Sequence, residues 1–292
     1  MSGSAETFPY FLRFVMNYEI KTAGEQLAYF IQDRILTRAA WDKFSDVLEC
    51  TGRSDALCDF FHELTVINLT CRIVAAGTSL LRESGKRPAR SAIDTSFEKE
   101  FLEFMRERFI LRPPVCGDLF RNAVRAVESA RRDPSTTERN RFKGWAQREH
   151  PHCYLCGVSL DFTEQDKVYK FTLDHIWPQR FGGDSIPENW LPACGSCNSR
   201  KKRDFATWAM PSIQSLILGF DPSENEYTAV DGSQRFALHQ LAAKKLAMQR
   251  NISLKRAYTV LGPWDNSPRL IDEDDIGDFF NLAIHRATLE VN

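Results

Sequence analysis

The chain lacks an excess of charge of either sign: 38 lysines and arginines stand against 39 aspartates and glutamates, a formal net charge of −1. No chain-wide basic field therefore announces a nucleic-acid partner. The signs are nevertheless sorted along the sequence. "RKKR" at 200–203 and "RRDPSTTERNRFKGWAQR" at 131–148 are basic, while "DEDDIGD" at 272–278 is acidic. A neutral total can hold a local basic face. Also lacking is a basic N-terminal segment followed by a clean apolar stretch, since "MSGSAETFPYFLRFV" has neither, which argues against a secretory signal. The most apolar window, "LTVINLTCRIVAAGTSLL" (64–81), is broken by Asn68, Arg72 and several hydroxyl residues, and reads as a buried helix rather than a membrane span. Internal repeats and low-complexity tracts are missing too. These absences point to a cytoplasmic protein with no membrane partner, in a compartment where thiols stay reduced.

What is present is ordinary globular material, 43% hydrophobic over 292 residues, enough to bury a real core without help from metals. Apolar residues recur at three- and four-residue spacing over 25–48, 55–81, 94–111 and 117–132, as amphipathic helices require. Ser96 or Thr95 suits the cap of the third, and Pro113-Pro114 its stop. The pattern changes at "DPSTT" (133–137), and from about 150 to 205 the chain turns to cysteine, glycine, proline and short β-prone runs. Helical periodicity returns over 213–220, 236–251 and 273–291. The expected fold is mostly α, with helical N- and C-terminal segments flanking a small zinc-stabilised module. The expected division is a helical domain at 1–132 for substrate or partner binding, a basic connector at 133–149, the module at 150–210 and a helical C-terminal region at 211–292.

Four of the eight cysteines form two C-x-x-C knuckles, Cys153/Cys156 and Cys194/Cys197. Two such pairs complete a tetrahedral Cys₄ zinc site, which can supply on the order of 10 kcal/mol of apparent binding energy. Disulfides do not suit a reduced compartment, and neither knuckle sits in the βαβ setting of a thioredoxin-like redox pair. His150 and His152 are spare ligands at most, expected to be exposed or to face phosphate. Cys50, Cys58, Cys71 and Cys116 read as small buried thiols. Between the knuckles, "YKFTLDHI" reads as a strand ending at Asp174-His175, "FGGD" as a turn, "NWLPA" as a second strand beginning at Asn189, and "CNSRKKRDFATWAM" as a helix. This ββα order gathers Asp174, His175, Asn189 and Asn198 around one concavity.

On "LDHIWP", "GG" followed by "ENWLPAC", and "CNSRK", residues 150–205 resemble an HNH endonuclease module, the ββα-metal or His-Me finger fold. The remaining four-fifths of the chain resembles no family known to us. Phosphodiester hydrolysis needs a base for water and a cation for the developing charge. His175, with an ordinary pKa of about 6.5, can be that base. Asp174, adjacent on a strand, points to the opposite face. The resemblance implies that Asp174 and Asn198 ligate a catalytic Mg²⁺ or Mn²⁺, that Asn189 ties the loop and helps to orient the base, and that the products carry 5′-phosphate and 3′-hydroxyl ends. Asn198 stands where the family's name expects a final His, which marks the HNN subtype and favours an oxygen-ligated ion.

Lys201, one helical turn after Asn198, is placed to meet a phosphate, with Arg200, Lys202 and Arg203 extending that charge. Arg139, Arg141 and Lys143 are the candidate DNA-approach surface, set against a plainly solvated helix or linker. Trp177 and Trp190 read as packing residues, and His62, His239 and His285 as structural or exposed. DNA is the expected substrate, with a protein partner a further role for the helical flanks. The likeness of a stand-alone nuclease with helical flanks to effectors of bacterial defence against phage or plasmid DNA rests on architecture alone. A zinc-stabilised nucleic-acid reader without catalysis, and an RNA-directed nuclease, are the alternatives.

Overall fold

A computed structural model describes residues 18–37, 39, 41, 54–83, 95–109, 112–163, 166–205 and 224–264. Cys50, His285 and the helices expected over 213–220 and 273–291 lie outside these residues, as do the side chains of Cys58 and Arg203. The described chain is mostly helical, with one two-stranded sheet.

Helix α1 spans Ala23–Arg34 and opens on a reciprocal cap: the Thr22 hydroxyl accepts from the Glu25 N–H, and the Glu25 carboxylate accepts from the Thr22 N–H. The periodicity over 25–48 predicts one helix, but α1 stops at Arg34. Ile35 and Leu36 both return their N–H groups to the Ile31 carbonyl, and the freed Leu36 carbonyl is taken by His62 Nε2 at 2.6 Å. That hydrogen bond explains the buried His62 as a structural residue. Helix α2 (Ser54–Glu83) follows; its Phe61–Glu83 part is apolar and long enough to cross a membrane by composition. In the structure it packs against α1, α3 (Thr95–Arg108) and α4 (Pro113–Ala130), and it carries buried His62, Glu63 and Thr70. Pro113-Pro114, expected to stop the preceding helix, also open α4, where a missing N–H costs nothing.

These four helices enclose Leu27, Ile31, Val66, Val74, Phe97, Phe101, Leu119 and Val127, with Phe97 and Phe101 stacked at 5.4 Å. The same apolar core runs on into Leu155, Trp177, Phe181 and Leu191 of the cysteine-rich segment. The basic stretch after α4 is itself a helix, α5 (Thr136–Glu149), started by a capping box between Ser135 and Glu138. Its buried residues, Phe142 and Ala146, face the sheet, and Phe142 meets Trp190 edge to face at 5.7 Å.

Strands β1 (Phe171–His175) and β2 (Trp190–Cys194) pair antiparallel, with Phe171 opposite Cys194 and His175 opposite Trp190. Helix α6 (Gly195–Asp204) lies across both. Helix α7 (Glu224–Arg250) packs on α6 and on α8 (Leu254–Leu261). His239 of α7 is held by the Gly262 carbonyl at 2.8 Å, as a structural histidine.

Candidate functional site

The four knuckle sulfurs lie within 4.8 Å of one another, with Cys156 and Cys194 3.9 Å apart. A tetrahedron of sulfurs about 2.3 Å from zinc has edges of about 3.8 Å, so the cluster is compatible with zinc. The second knuckle is shaped by α6: Cys194 is its N-cap residue and accepts from the Cys197 N–H. Hydrogen bonding within the cluster lowers the pKa of the Cys156 thiol, to about 7, and that of Cys194, and raises those of Cys153 and Cys197, so the four share protons that a bound metal would displace. Neither His150 nor His152 belongs to the cluster. Cys71 and Cys116 are buried free thiols, as expected.

From this cage the sheet and α6 face one another, and the pleat decides what meets. Thr172 and Asp174, two apart on β1, both turn toward α6. Asn198 donates to the Thr172 hydroxyl at 3.0 Å, and one turn later Lys201 reaches Asp174 Oδ2 at 2.7 Å. Lys201 was expected to face a phosphate. Instead it is 2% exposed, and its three N–H donors go to Asp174 Oδ2, the Tyr154 hydroxyl (2.9 Å) and the His175 carbonyl (2.7 Å). An enclosed ammonium needs its counter-charge, so the carboxylate wins over solvent and phosphate alike. Burial lowers the ammonium's pKa, and Asp174 opposes that shift. Tyr154 also donates to Asp174 Oδ2 at 2.7 Å, so one carboxylate oxygen takes two bonds.

The orientation of the Asn198 amide follows from proton counting. The Thr172 hydroxyl donates its single proton to the Ala193 carbonyl at 2.8 Å, so it can only accept from Asn198. The Asn198 NH₂ therefore faces Thr172, and Oδ1 is left buried with no hydrogen-bond partner. An orphaned amide oxygen costs about 1–3 kcal/mol unless something binds it. No hydrogen bond from the described residues reaches Asp174 Oδ1 either. Two oxygens on adjacent rungs of one strand–helix seam form a donor set that fits a hard divalent cation.

His175 turns the other way. Its ring stands edge-on to Trp190 at 6.2 Å, and Nε2 lies 3.0 Å from Ser185 Oγ. Burial pushes the imidazole pKa down to about 4, which leaves the ring neutral and able to accept a proton at neutral pH. The charge of Asp174 opposes that shift, while Lys201 and, more weakly, Arg139 add to it. Exposed Arg139 is steadied by the Pro134 carbonyl at 3.1 Å and by Asp133 at 3.9 Å. Arg141 and Lys202 are exposed, whereas Lys143 and Arg200 are half-buried.

Asn189 is buried and fully used in closing the loop between the strands. It accepts from the Trp177 N–H (2.8 Å) and donates to the carbonyls of Trp177 and Asp184 (both 3.0 Å). Its own carbonyl accepts from Ile176, next to His175, at 2.8 Å. It touches the backbone around the base rather than the imidazole. Trp177 and Trp190 are buried packing residues.

The loop is also docked onto the helical bundle. Asp184 accepts from the first N–H of α1, at Ala23 (2.8 Å), and from Ser129 of α4 (2.6 Å). The Gly182 carbonyl accepts from the Gly24 N–H (2.8 Å), and the Ser185 hydroxyl donates to the Arg132 carbonyl (2.5 Å). Gly182 has φ +89°, and a Cβ there would come 2.7 Å from that of Ala126, so this turn needs glycine twice over. Sequence reasoning missed Tyr154, Thr172, Asp184 and Ser185. The polar "DS" after the glycine pair and a tyrosine between knuckle cysteines were the available signals.

Residues 153–204 match the HNH endonuclease family model. The match takes in both knuckles, both strands and α6, under a fifth of the chain. No curated protein and no solved structure matches the chain. The HNH domain supports a nuclease activity in general, and HNH nucleases use metal ions. Ala23, Ser129 and Arg132, which hold the loop at Asp184 and Ser185, all lie outside the HNH match.

Proposed function

We propose that this chain is a divalent-cation-dependent endonuclease that hydrolyses DNA phosphodiester bonds, leaving 5′-phosphate and 3′-hydroxyl ends. The observation that carries this reading is the buried, unpaired Asn198 Oδ1 on the helix that also holds Asp174 through Lys201, with the His175 ring turned to Ser185 on the opposite face of the same strand. Asp174 and Asn198 would hold Mg²⁺ or Mn²⁺, which supplies charge neutralisation for the phosphate and the leaving oxygen. His175 takes a proton from water as the oxygen attacks phosphorus, the P–O3′ bond breaks, and the departing 3′ oxygen takes a proton from solvent water; burial of the imidazole keeps it unprotonated beforehand. Lys201 holds the Asp174 carboxylate in place through one oxygen and steadies the His175 main chain. Asn189 closes the loop that presents the base. The basic residues Arg139, Arg141, Lys143, Arg200, Lys202 and Arg203 guide the polyanionic backbone toward the site. The Cys₄ zinc holds the frame and takes no part in the chemistry.

A single site of this kind cuts one strand at a time, so nicked circles precede linear products. The architectural likeness to bacterial defence effectors adds a setting, attack on foreign DNA in the cytoplasm, with the helical flanks as the surface for a controlling partner. Plasmid cleavage with Mg²⁺ or Mn²⁺ against EDTA, comparing wild type with His175→Ala, tests the reading. Nicking by the wild type and a fall of at least about 10²-fold in the variant, with zinc content unchanged, is expected. Equal cleavage by both proteins sinks the assignment of the base. Inertness of both on DNA, with cleavage of RNA, moves the substrate; inertness on both polymers favours a binding module.

A further inference from the structure

We propose that Ser185 is a positioning residue that fixes which nitrogen of His175 acts, and that the helical bundle aims the base through the main chain at Arg132. This rests on His175 being the base, as proposed above. Ser185 is buried, with its hydroxyl oxygen 2.5 Å from the Arg132 carbonyl and 3.0 Å from His175 Nε2. A carbonyl oxygen only accepts, so the single hydroxyl proton of Ser185 is committed to Arg132. Toward His175 the same oxygen can then only accept. Nε2 must carry the ring proton, and the lone pair of the neutral imidazole lies on Nδ1. Nδ1 has no hydrogen bond among the described residues, which leaves it free for water.

The device reaches into the bundle. Arg132 follows the end of α4, with its N–H returned to the Ser129 carbonyl at 3.2 Å. Ser129 also holds Asp184, the neighbour of Ser185, while Ala23 at the start of α1 holds the other oxygen of that carboxylate. Two consecutive loop residues are thus pinned to two helices from outside the HNH match, and the second of them grips the imidazole. When water gives its proton to Nδ1, the ring becomes a cation with N–H groups at both positions. Its charge then meets an oxygen already turned toward it, Ser185 Oγ, backed by the Arg132 carbonyl. No rotation of a hydroxyl is needed at the moment of reaction.

The test uses the full chain and supercoiled plasmid with Mg²⁺. Wild type is compared with Ser185→Ala, which removes the acceptor, and Ser185→Thr, which keeps it. Nitrogen-15 spectra of the histidine-labelled wild type, with His175 assigned by difference from His175→Gln, report which ring nitrogen holds the proton. The expected spectrum shows the proton on Nε2. Ser185→Ala should lose about 10- to 100-fold in kcat with KM for the plasmid unchanged, and Ser185→Thr should recover most of the rate. Unchanged kcat in Ser185→Ala, or a ring proton on Nδ1, overturns the proposal. Should Ser185→Ala lose zinc or fail to fold, the wild-type spectrum and the threonine variant decide alone. If wild type and His175→Ala cut equally, the nuclease reading has failed, while the spectrum still decides whether Ser185 accepts from His175.

Discussion

The HNH domain is held at its two ends by different physics. At one end, four sulfurs gather from two knuckles, and α6 begins on one of the ligands. At the other, the loop carrying Asp184 and Ser185 is held by single hydrogen bonds from helices 55 and 161 residues away in sequence. With zinc bound, such a cage would be strong and compact, but conditional on the metal. The seam is built from bonds worth about 0.5–1.5 kcal/mol each, and no metal enters it. Filled with zinc, the cage could make the small ββα frame fold, whereas the seam holds the loop whose Ser185 meets His175. On the reading proposed above, frame and aim are separate tasks given to separate parts.

Four experiments sharpen that contrast. Cys194→Ser opens the cage and should forfeit most of the roughly 10 kcal/mol that a structural zinc supplies. Zinc content should fall and plasmid cleavage disappear, while circular dichroism retains the helical signal of α1 to α4; collapse of that signal too would show that the bundle depends on the cage. Phe101→Ala is the mirror experiment. It empties the bundle interior beside Gly77 and Phe97 and should cost about 3–5 kcal/mol in urea denaturation without changing zinc stoichiometry. Asp184→Ala strikes the seam, removing the acceptor for Ala23 and Ser129. About 1–3 kcal/mol of stability should go, with cleavage reduced more than the melting curve explains and zinc retained. Intact activity in that variant would mean the seam is structural only. The smallest effect on stability belongs to the triple change Arg139→Ala, Arg141→Ala and Lys143→Ala, within about 0.5 kcal/mol. Its signature is in binding, where the salt dependence of DNA affinity should flatten by up to about three phosphate contacts' worth.

The parts legible in the sequence are those whose determinants are close together. The knuckles, β1, β2 and the start of α6 follow from spacing and alternation within a few dozen residues, and the elements lie within two residues of the expected bounds, β2 opening at Trp190 rather than Asn189 and α6 at Gly195 rather than Cys197. Long-range pairing was not legible. Lys201 in "RKKR" has the look of a solvated cation, and it is partners distant in sequence that hold it in the interior: Asp174, 27 residues upstream, the His175 carbonyl and Tyr154. The Leu36 carbonyl left over where α1 ends is taken by His62, 26 residues downstream. By contrast, the helix at 136–149 was readable: Ser135 and Glu138 spell a capping box, but the surrounding charge masked it. The seam at Asp184 joins parts of the chain with no pattern in common. Periodicity reports which face of an element is buried, not which distant partner covers it.

The spacing of the cage also has a consequence for the making of the protein. Cys156 and Cys194 are 38 residues apart, and the whole of β1, the loop and β2 lies between them. At a synthesis rate of about 5–20 residues per second, the first knuckle leaves the ribosome some ~2–8 s before the second can join it. The helices α1 and α4, made earlier, are by then available as a seat for the loop. Closing the cage therefore comes late in the life of each nascent chain, after the loop has already met its seat on the helices. Before it, the polypeptide holds Asp174 and His175 but not the second knuckle or the Asn198 that follows it, and cannot yet act as the proposed nuclease.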